Sequence, residues 1–286
     1  MSFKNTLLPT QTMLQSRGHL LDLSTPVVMG ILNATPDSFY NKGRESNTEA
    51  LLKIAEKMIT DGAAILDIGG ISTKPGAAEV SVEEELARVL PVITEIHNHF
   101  PEVWLSIDSY HSKTATEAIA AGVSIINDVS SGRFDNKMLE TVAALKVPYI
   151  AMHMQGTPQT MQQDPQYNNV VIEVRDYLKN CCNKCDDTGI TDIIIDPGFG
   201  FGKTVEQNYA LLNNLHSFRM LGKPILAGIS RKSMICKVLH VNPENALNGT
   251  TALHMIALQQ GANILRVHDV KEAMETIQLF KQINNN

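Results

Sequence analysis

The chain has 286 residues, 43% hydrophobic and 19% charged, a balance ordinary for a globular protein with a substantial core. Its net charge of −6 argues against a nucleic-acid partner and leaves any bound anion to a local cluster of Arg, Lys or His. No apolar run approaches the ~20 residues of a membrane span, and the opening MSFKNTLLPTQTMLQSRGHLL lacks a continuous apolar signal core, so a cytoplasmic protein is expected.

The first 25 or so residues stand outside any repeat, and SRGHLLDLSTP within them reads as a small hairpin. From there short apolar runs alternate with longer helical patterns. Predicted strands are 26–32 (PVVMGIL), 64–68, 103–107, 124–126, 148–152, 192–195, 224–228 and 263–267. Predicted helices are 47–61, 82–98, 111–121, 136–145, 168–188, 205–219, 243–260 and 269–283. The three cysteines 181, 182 and 185 fall on the fifth helix; with one C-x-x-C and no second pair, ordinary reduced thiols are expected there. Eight β runs with eight helices imply parallel strands, and an α/β (β/α)8 TIM barrel accounts for both count and length, ~250 residues being typical. The hairpin would cap its N-terminal end, the whole forming one domain over 1–286. A doubly wound open sheet is the alternative, but it would show a glycine fingerprint after the first strand, where this chain has NATPDSF.

Each predicted strand runs into polar residues: Asn33, Asp67, Asp108, Asn127-Asp128, His153, Asp196, Ser230 with Lys232, and Arg266 with His268. Active sites of such barrels lie at the C-terminal ends of the strands. Asp108, Asn127, Asp196 and Lys232 form a mixed donor and acceptor set suited to a flat heterocycle carrying adjacent N–H groups. Asp196, before Pro197-Gly198, is alternatively the start of an Asx-type turn. Arg266 and His268 form a cationic end suited to a phosphate or diphosphate. Asn33, on the neighbouring first strand, would offer an oxygen to Mg2+ bridging the phosphates. His153 reads as structural, and Asp67, before Gly69-Gly70, as an anchor for loop backbone. The run DPGFGFGKT (196–204) looks like a phosphate cradle but misses both nucleotide fingerprints by one residue, at Pro197 and at Lys203. Lys203-Thr204 then read as the start of a helix.

Taken together, GILNATPDSF (30–39), DIGGISTKPGA (67–77), SIDS (106–109), INDVSSG (126–132), MHMQGTP (152–158), DPGFGFGK (196–203), GISRKS (228–233) and RVHDV (266–270) closely resemble the dihydropteroate synthase family, in order over residues 16–286. The resemblance implies a homodimeric (β/α)8 barrel of folate biosynthesis, the target of sulfonamides. It would join 6-hydroxymethyl-7,8-dihydropterin diphosphate to p-aminobenzoate with release of pyrophosphate, by an SN1-like transfer assisted by Mg2+. It makes Asp108, Asn127, Asp196 and Lys232 pterin-binding residues, with Met154 and Arg266 near the pterin ring. Asn33, Arg266 and His268 become the diphosphate and Mg2+ end, Asn33 the metal ligand, and Arg266, His268 and Lys232 the catalytic set. Thr73, Pro75, Phe201 and Ser230 would line the p-aminobenzoate side, and loops 34–47 and 70–81 would close over the site. The chain departs from the family pattern in those loops, with Tyr40-Asn41 in the first and Ile71 and Lys74 in place of an acid and an arginine in the second. A pterin-dependent methyltransferase and a non-catalytic pterin-binding paralogue remain as alternatives.

Overall fold

The computed structural model describes residues 10–35, 47–71, 80–157, 160–161 and 165–284. An antiparallel hairpin comes first, β1 (Met13–Ser16) paired with β2 (His19–Asp22). Its two-residue turn has positive φ at Arg17 and Gly18 (51° and 82°), the backbone that suits the twist of paired strands. Then follow β3 (Val27–Asn33), α1 (Asn47–Thr60), β4 (Ile65–Gly69), α2 (Val82–His99), β5 (Trp104–Asp108), α3 (Ser112–Ala120), β6 (Ile125–Asp128) and α4 (Met138–Leu145). The second half holds β7 (Tyr149–Met152), α5 (Val170–Thr188), β8 (Ile193–Asp196), α6 (Val205–Asn213), β9 (Leu226–Ala227), α7 (Ser233–Leu239), α8 (Leu247–Gln259), β10 (Ile264–Val267) and α9 (Val270–Asn284).

Strands β3 to β10 form one parallel sheet in the order β8-β7-β6-β5-β4-β3-β10-β9. A parallel bridge between Ile195 and Ile225, with Ile195 N donating to Pro224 O at 2.9 Å, brings the two ends together as a nearly closed barrel. The predicted strands all appear, but the later helices differ. The stretch 205–219 stops at Asn213 and continues as a 3-10 helix, Leu215–Leu221. The stretch 243–260 splits into a 3-10 turn, Pro243–Asn245, and α8. Helix α7, only seven residues long, was not expected, being too short for an apolar period to register.

Barrel strands point alternate side chains inward. Met29, Ile65, Trp104, Ile125, Ile150, Ile194, Leu226 and Ile264, one from each strand, form a separate buried cluster together with Leu14 and Leu23 of the hairpin region. The hairpin thus plugs the N-terminal end with two leucines, both fully buried. Residues of the other parity, among them Val28, Leu66, Leu105, Ile126, Tyr149, Ile193, Ala227 and Leu265, join the larger core beneath the helices. Replacing Leu14 by Ala removes half of the hairpin's contribution, and chemical denaturation should show a loss of about 2–5 kcal/mol with turnover at 25 °C near wild type. A loss under ~1 kcal/mol would contradict the plug.

Candidate active site

The same alternation builds the site. Counting in twos from the apolar plug leads from Ile65 to Asp67, from Ile125 to Asn127, from Ile194 to Asp196 and from Ile264 to Arg266; four residues above Met29 and Trp104 stand Asn33 and Asp108. All therefore face the barrel interior above the plug. Asp128 has the other parity and faces the helices. Its Oδ1 accepts from Ser130 N and Oγ, and its Oδ2 from Gly132 N and the Tyr149 hydroxyl, each at 2.7 Å.

Arg266 is the hub of the interior. Its Nε donates to Asp67 Oδ2 and its Nη2 to Asp108 Oδ2, both at 2.6 Å. Asn127 Nδ2 donates to the same Asp67 oxygen at 3.0 Å. Asp67, expected to anchor loop backbone, is instead the charge partner that fixes Arg266 and Asn127, because its parity turns it inward. Its other oxygen, Oδ1, is buried without a hydrogen-bond partner among the described residues, as is Ser106 Oγ on the register-paired position of β5. Asn33 lies exposed at the rim. A Cβ at Gly69 would stand 3.8 Å from Asn33 Oδ1 and 3.9 Å from Asp108 Oδ2, so these two oxygens flank one small volume. Burial pushes the Asp108 carboxyl up against the pull of Arg266. Burial would lower Arg266, but Asp67 and Asp108 outweigh it and hold the guanidinium charged.

The opposite wall is the stretch that resembled a phosphate cradle. Asp196 Oδ1 accepts from Gly198 N at 2.7 Å, so the Asx-type turn is present, while the residue stays buried on the interior side. Gly198 has φ +69°, and a Cβ there would sit 1.9 Å from His153 O, so no other residue fits. At Gly200 (φ +83°) a Cβ would press on Lys232 Cδ at 3.2 Å. The glycines thus let the loops after β7 and β8 pack flat under Lys232, whose Nζ donates to Phe199 O and lies 4.8 Å from the Phe201 ring centroid. Part-burial lowers Lys232 to about 8, with Asp196 opposing the shift. Lys203 does not enter the helix. It is buried, with Nζ donating to His153 Nδ1 (3.0 Å), Gly198 O (2.8 Å) and Phe201 O (2.9 Å), and Thr204 is the N-cap of α6. His153 is accordingly a structural acceptor; burial and then Lys203 push its imidazole far down, to about 2.

Met154 is buried with Val129, Met152 and Met161, and Phe201 and Tyr110 pack against this group as an apolar wall beside the polar ring. Ser230 Oγ accepts from His268 N at 3.2 Å and hydrogen-bonds its Nδ1 at 3.1 Å. His268 stands at the rim, where partial burial of its ring and then the nearby Arg266 lower its imidazole. Arg231 is held bidentately by Asp269 at 2.7 and 2.8 Å and bonds Pro243 O and Glu244 O, locking the loop between Ser230 and Lys232. Thr73, Pro75, Tyr40, Asn41 and Lys74 lie outside the described residues; Ile71 is buried. The three cysteines of α5 are buried free thiols, and burial pushes Cys182 and Cys185 up to about 12, far from reactive thiolate.

The sequence placed Asp67 at a strand end but gave it a loop-anchoring part, and took Lys203 for a helix start; strand parity counted from the plug points to the role of the first. Substituting Asp67 by Asn leaves Arg266 and Asp108 to balance alone in the interior. Denaturation should register a loss of about 3–5 kcal/mol, and a loss under ~1 kcal/mol would remove Asp67 from the hub.

Comparison with known proteins adds a family to this geometry. Residues 29–268 match the model of the pterin binding enzyme family. The dihydropteroate synthase of Escherichia coli K12 is 47% identical over 268 residues, covering 93% of this chain and 94% of the relative. The Yersinia pestis dihydropteroate synthase, solved as a sulfonamide drug complex, superposes with a TM-score of 0.91 at 42% identity, covering 96% of this chain and 100% of that one. The Xanthomonas albilineans enzyme in complex with 7,8-dihydropteroate gives 0.88 at 38% identity, covering 96% and 99%. The chain belongs to the dihydropteroate synthase family of pterin-binding enzymes.

Proposed function

We propose that the interior ring binds the pterin of 6-hydroxymethyl-7,8-dihydropterin diphosphate and that the rim transfers its methylene group to p-aminobenzoate. The observation that carries this reading is the convergence of Asp108, Asn127, Asp196 and Lys232 above the plug, with Arg266 between the acids. Carboxylates facing inward call for a ligand edge rich in N–H donors, and a pterin has one. Lys232 supplies a donor to a ring carbonyl or nitrogen. Met154 and the Arg266 plane flank the ring, while Phe201, Ser230, Thr73 and Pro75 form the p-aminobenzoate side. A relative solved with 7,8-dihydropteroate, the condensation product, supports the pairing of substrates. Another solved with a sulfonamide supports the same drug class as ligands here.

The chemistry follows from charge. The C–O bond at the pterin methylene breaks with its electron pair passing to the diphosphate oxygen, and Arg266 offers Nη1, engaged by neither carboxylate, to that developing charge. His268 adds a ring N–H donor, its Nδ1 hydrogen-bonded with the Ser230 hydroxyl. The electron-rich pterin spreads the resulting positive charge, which makes the route SN1-like. The aniline nitrogen, neutral at pH 7, then forms the new C–N bond and releases a proton to solvent, so no strong base is required. Asn33 fits a Mg2+ ion, since its exposed amide oxygen flanks the same volume as Asp108 Oδ2, and Mg2+ takes one or two protein oxygens beside substrate phosphates. When bound, the ion would neutralise diphosphate charge. Apolar side chains such as Val238 and Leu239 on α7 and Ile256 on α8 are exposed, which supports a homodimer. No helix among the described residues is long and apolar enough to cross a membrane, in keeping with a cytoplasmic enzyme.

Pyrophosphate release from pterin diphosphate with Mg2+ tests the function. It should require p-aminobenzoate, and tight pterin binding without such release would favour a non-catalytic pterin binder. Arg266→Ala should lower kcat/KM by about 10²–10³-fold, and unaltered turnover would overturn its role. Lys232 donates as an ammonium only below its lowered pKa. Calorimetric pterin affinity should therefore fall as pH rises through about 8, and a flat profile to pH ~9.5 would remove Lys232 from the pocket.

A further inference from the structure

Strand β6 stops before the strand it supports. Its register with β7 ends at Asp128 opposite Ala151, while β7 runs on along β8, where Met152 pairs with Asp196 and His153 N donates to Asp196 O at 3.0 Å. Ile126 N donates to Pro148 O at 3.0 Å, which sets the even-numbered carbonyls of β7 toward β6. By that phase Ser130 N would meet Met152 O next, but it donates to Asp128 Oδ1 at 2.7 Å instead. Met152 O and Met154 O thus lose their backbone donors at a buried place, where an unpaired carbonyl is costly.

Two side chains of the turn between β6 and α4 replace those donors. Ser131 Oγ donates to Met152 O at 2.8 Å, and Arg133 Nη2 donates to Met154 O at 3.0 Å. The turn is shaped for this. Ser131 has φ +53°, a left-handed conformation uncommon for any residue but glycine, and Asp128 pins the turn on both sides of it through Ser130 N and Gly132 N. Arg133 is aimed by its own contacts: Nε donates to Ser130 O at 3.1 Å, and the guanidinium lies 5.8 Å from the Tyr177 ring centroid and 5.7 Å from that of Phe134.

The prolonged strand carries the apolar wall of the site. Met152 and Met154 follow Ile150 of the plug in steps of two, and they pack with Val129 and Phe201. A methionine side chain is flexible, so it presents one surface to a ligand only when its backbone is fixed. We propose that Ser131 and Arg133 are positioning residues for the pterin, extending β6 by two side-chain rungs that hold Met154 against the ring; this rests on the assignment of Met154 to that place. Their effect falls on binding and not on bond breaking, because a loosened wall weakens ground and transition states alike.

The test combines calorimetry with 6-hydroxymethyl-7,8-dihydropterin, turnover of its diphosphate, and the 13C-methyl signal of Met154 in the full chain. Arg133→Met keeps a stem over Tyr177 but loses the donors. Its pterin Kd should rise about 3- to 30-fold at unchanged stoichiometry, with kcat at saturating substrates within about threefold of wild type. Arg133→Lys keeps one donor and should fall between that variant and wild type. Ser131→Gly removes the hydroxyl while easing the positive φ, so its Tm should stay near wild type as its pterin Kd rises. Lowered stoichiometry with an unaltered Kd, the mark of a merely structural role, overturns the proposal. So do pterin Kd values within about twofold of wild type in both Arg133→Met and Ser131→Gly, or a Met154 methyl signal unmoved by Arg133→Met. A Met154→Ala variant that binds pterin as wild type does would instead remove the assignment on which the proposal rests.

Discussion

Alternate residues of a barrel strand face inward, so an apolar residue in the plug layer commits the residue two places on to the interior above it. Eight strands contribute to that layer here, and the hairpin seals it from below with Leu14 and Leu23. The polar ring cannot slip in register without exposing the plug. Asn127 inside and Asp128 outside, adjacent in sequence, show the consequence: one faces Asp67 in the interior, the other is saturated by loop and Tyr149 donors beneath the helices.

Charge balance is the second constraint. Asp67, Asp108 and Asp196 all enter the interior, with Arg266 and Lys232 as the cations they share. Arg266 satisfies two acids through separate nitrogens of one rigid fork, an arrangement that a lysine's single rotating ammonium does not fix in advance. The remaining excess of acceptors suits a ligand rich in N–H donors, and the same guanidinium keeps a nitrogen for a leaving anion. Lys203 plays a purely internal part, tying the loops after β7 and β8 so that Lys232 has a floor.

Much of this was legible in the sequence. Apolar runs located every barrel strand, and their polar C-terminal ends located the rim, because both are local patterns that tertiary contacts do not override. Asp67 was misassigned because its neighbours Gly69-Gly70 advertise a loop, whereas its role depends on Arg266, 199 residues away in sequence. Lys203 was read as helix for the same reason: its acceptors come from the preceding loops. Helix α7 was too short to announce itself.

Arg266 and Asp67 act as one unit in the interior. A double-mutant cycle with Asp67→Asn and Arg266→Gln, read by chemical denaturation, measures that directly. A coupling of about 2–3 kcal/mol is expected, the double variant being far less destabilised than the sum of the singles. Costs that add to within ~0.5 kcal/mol would contradict it.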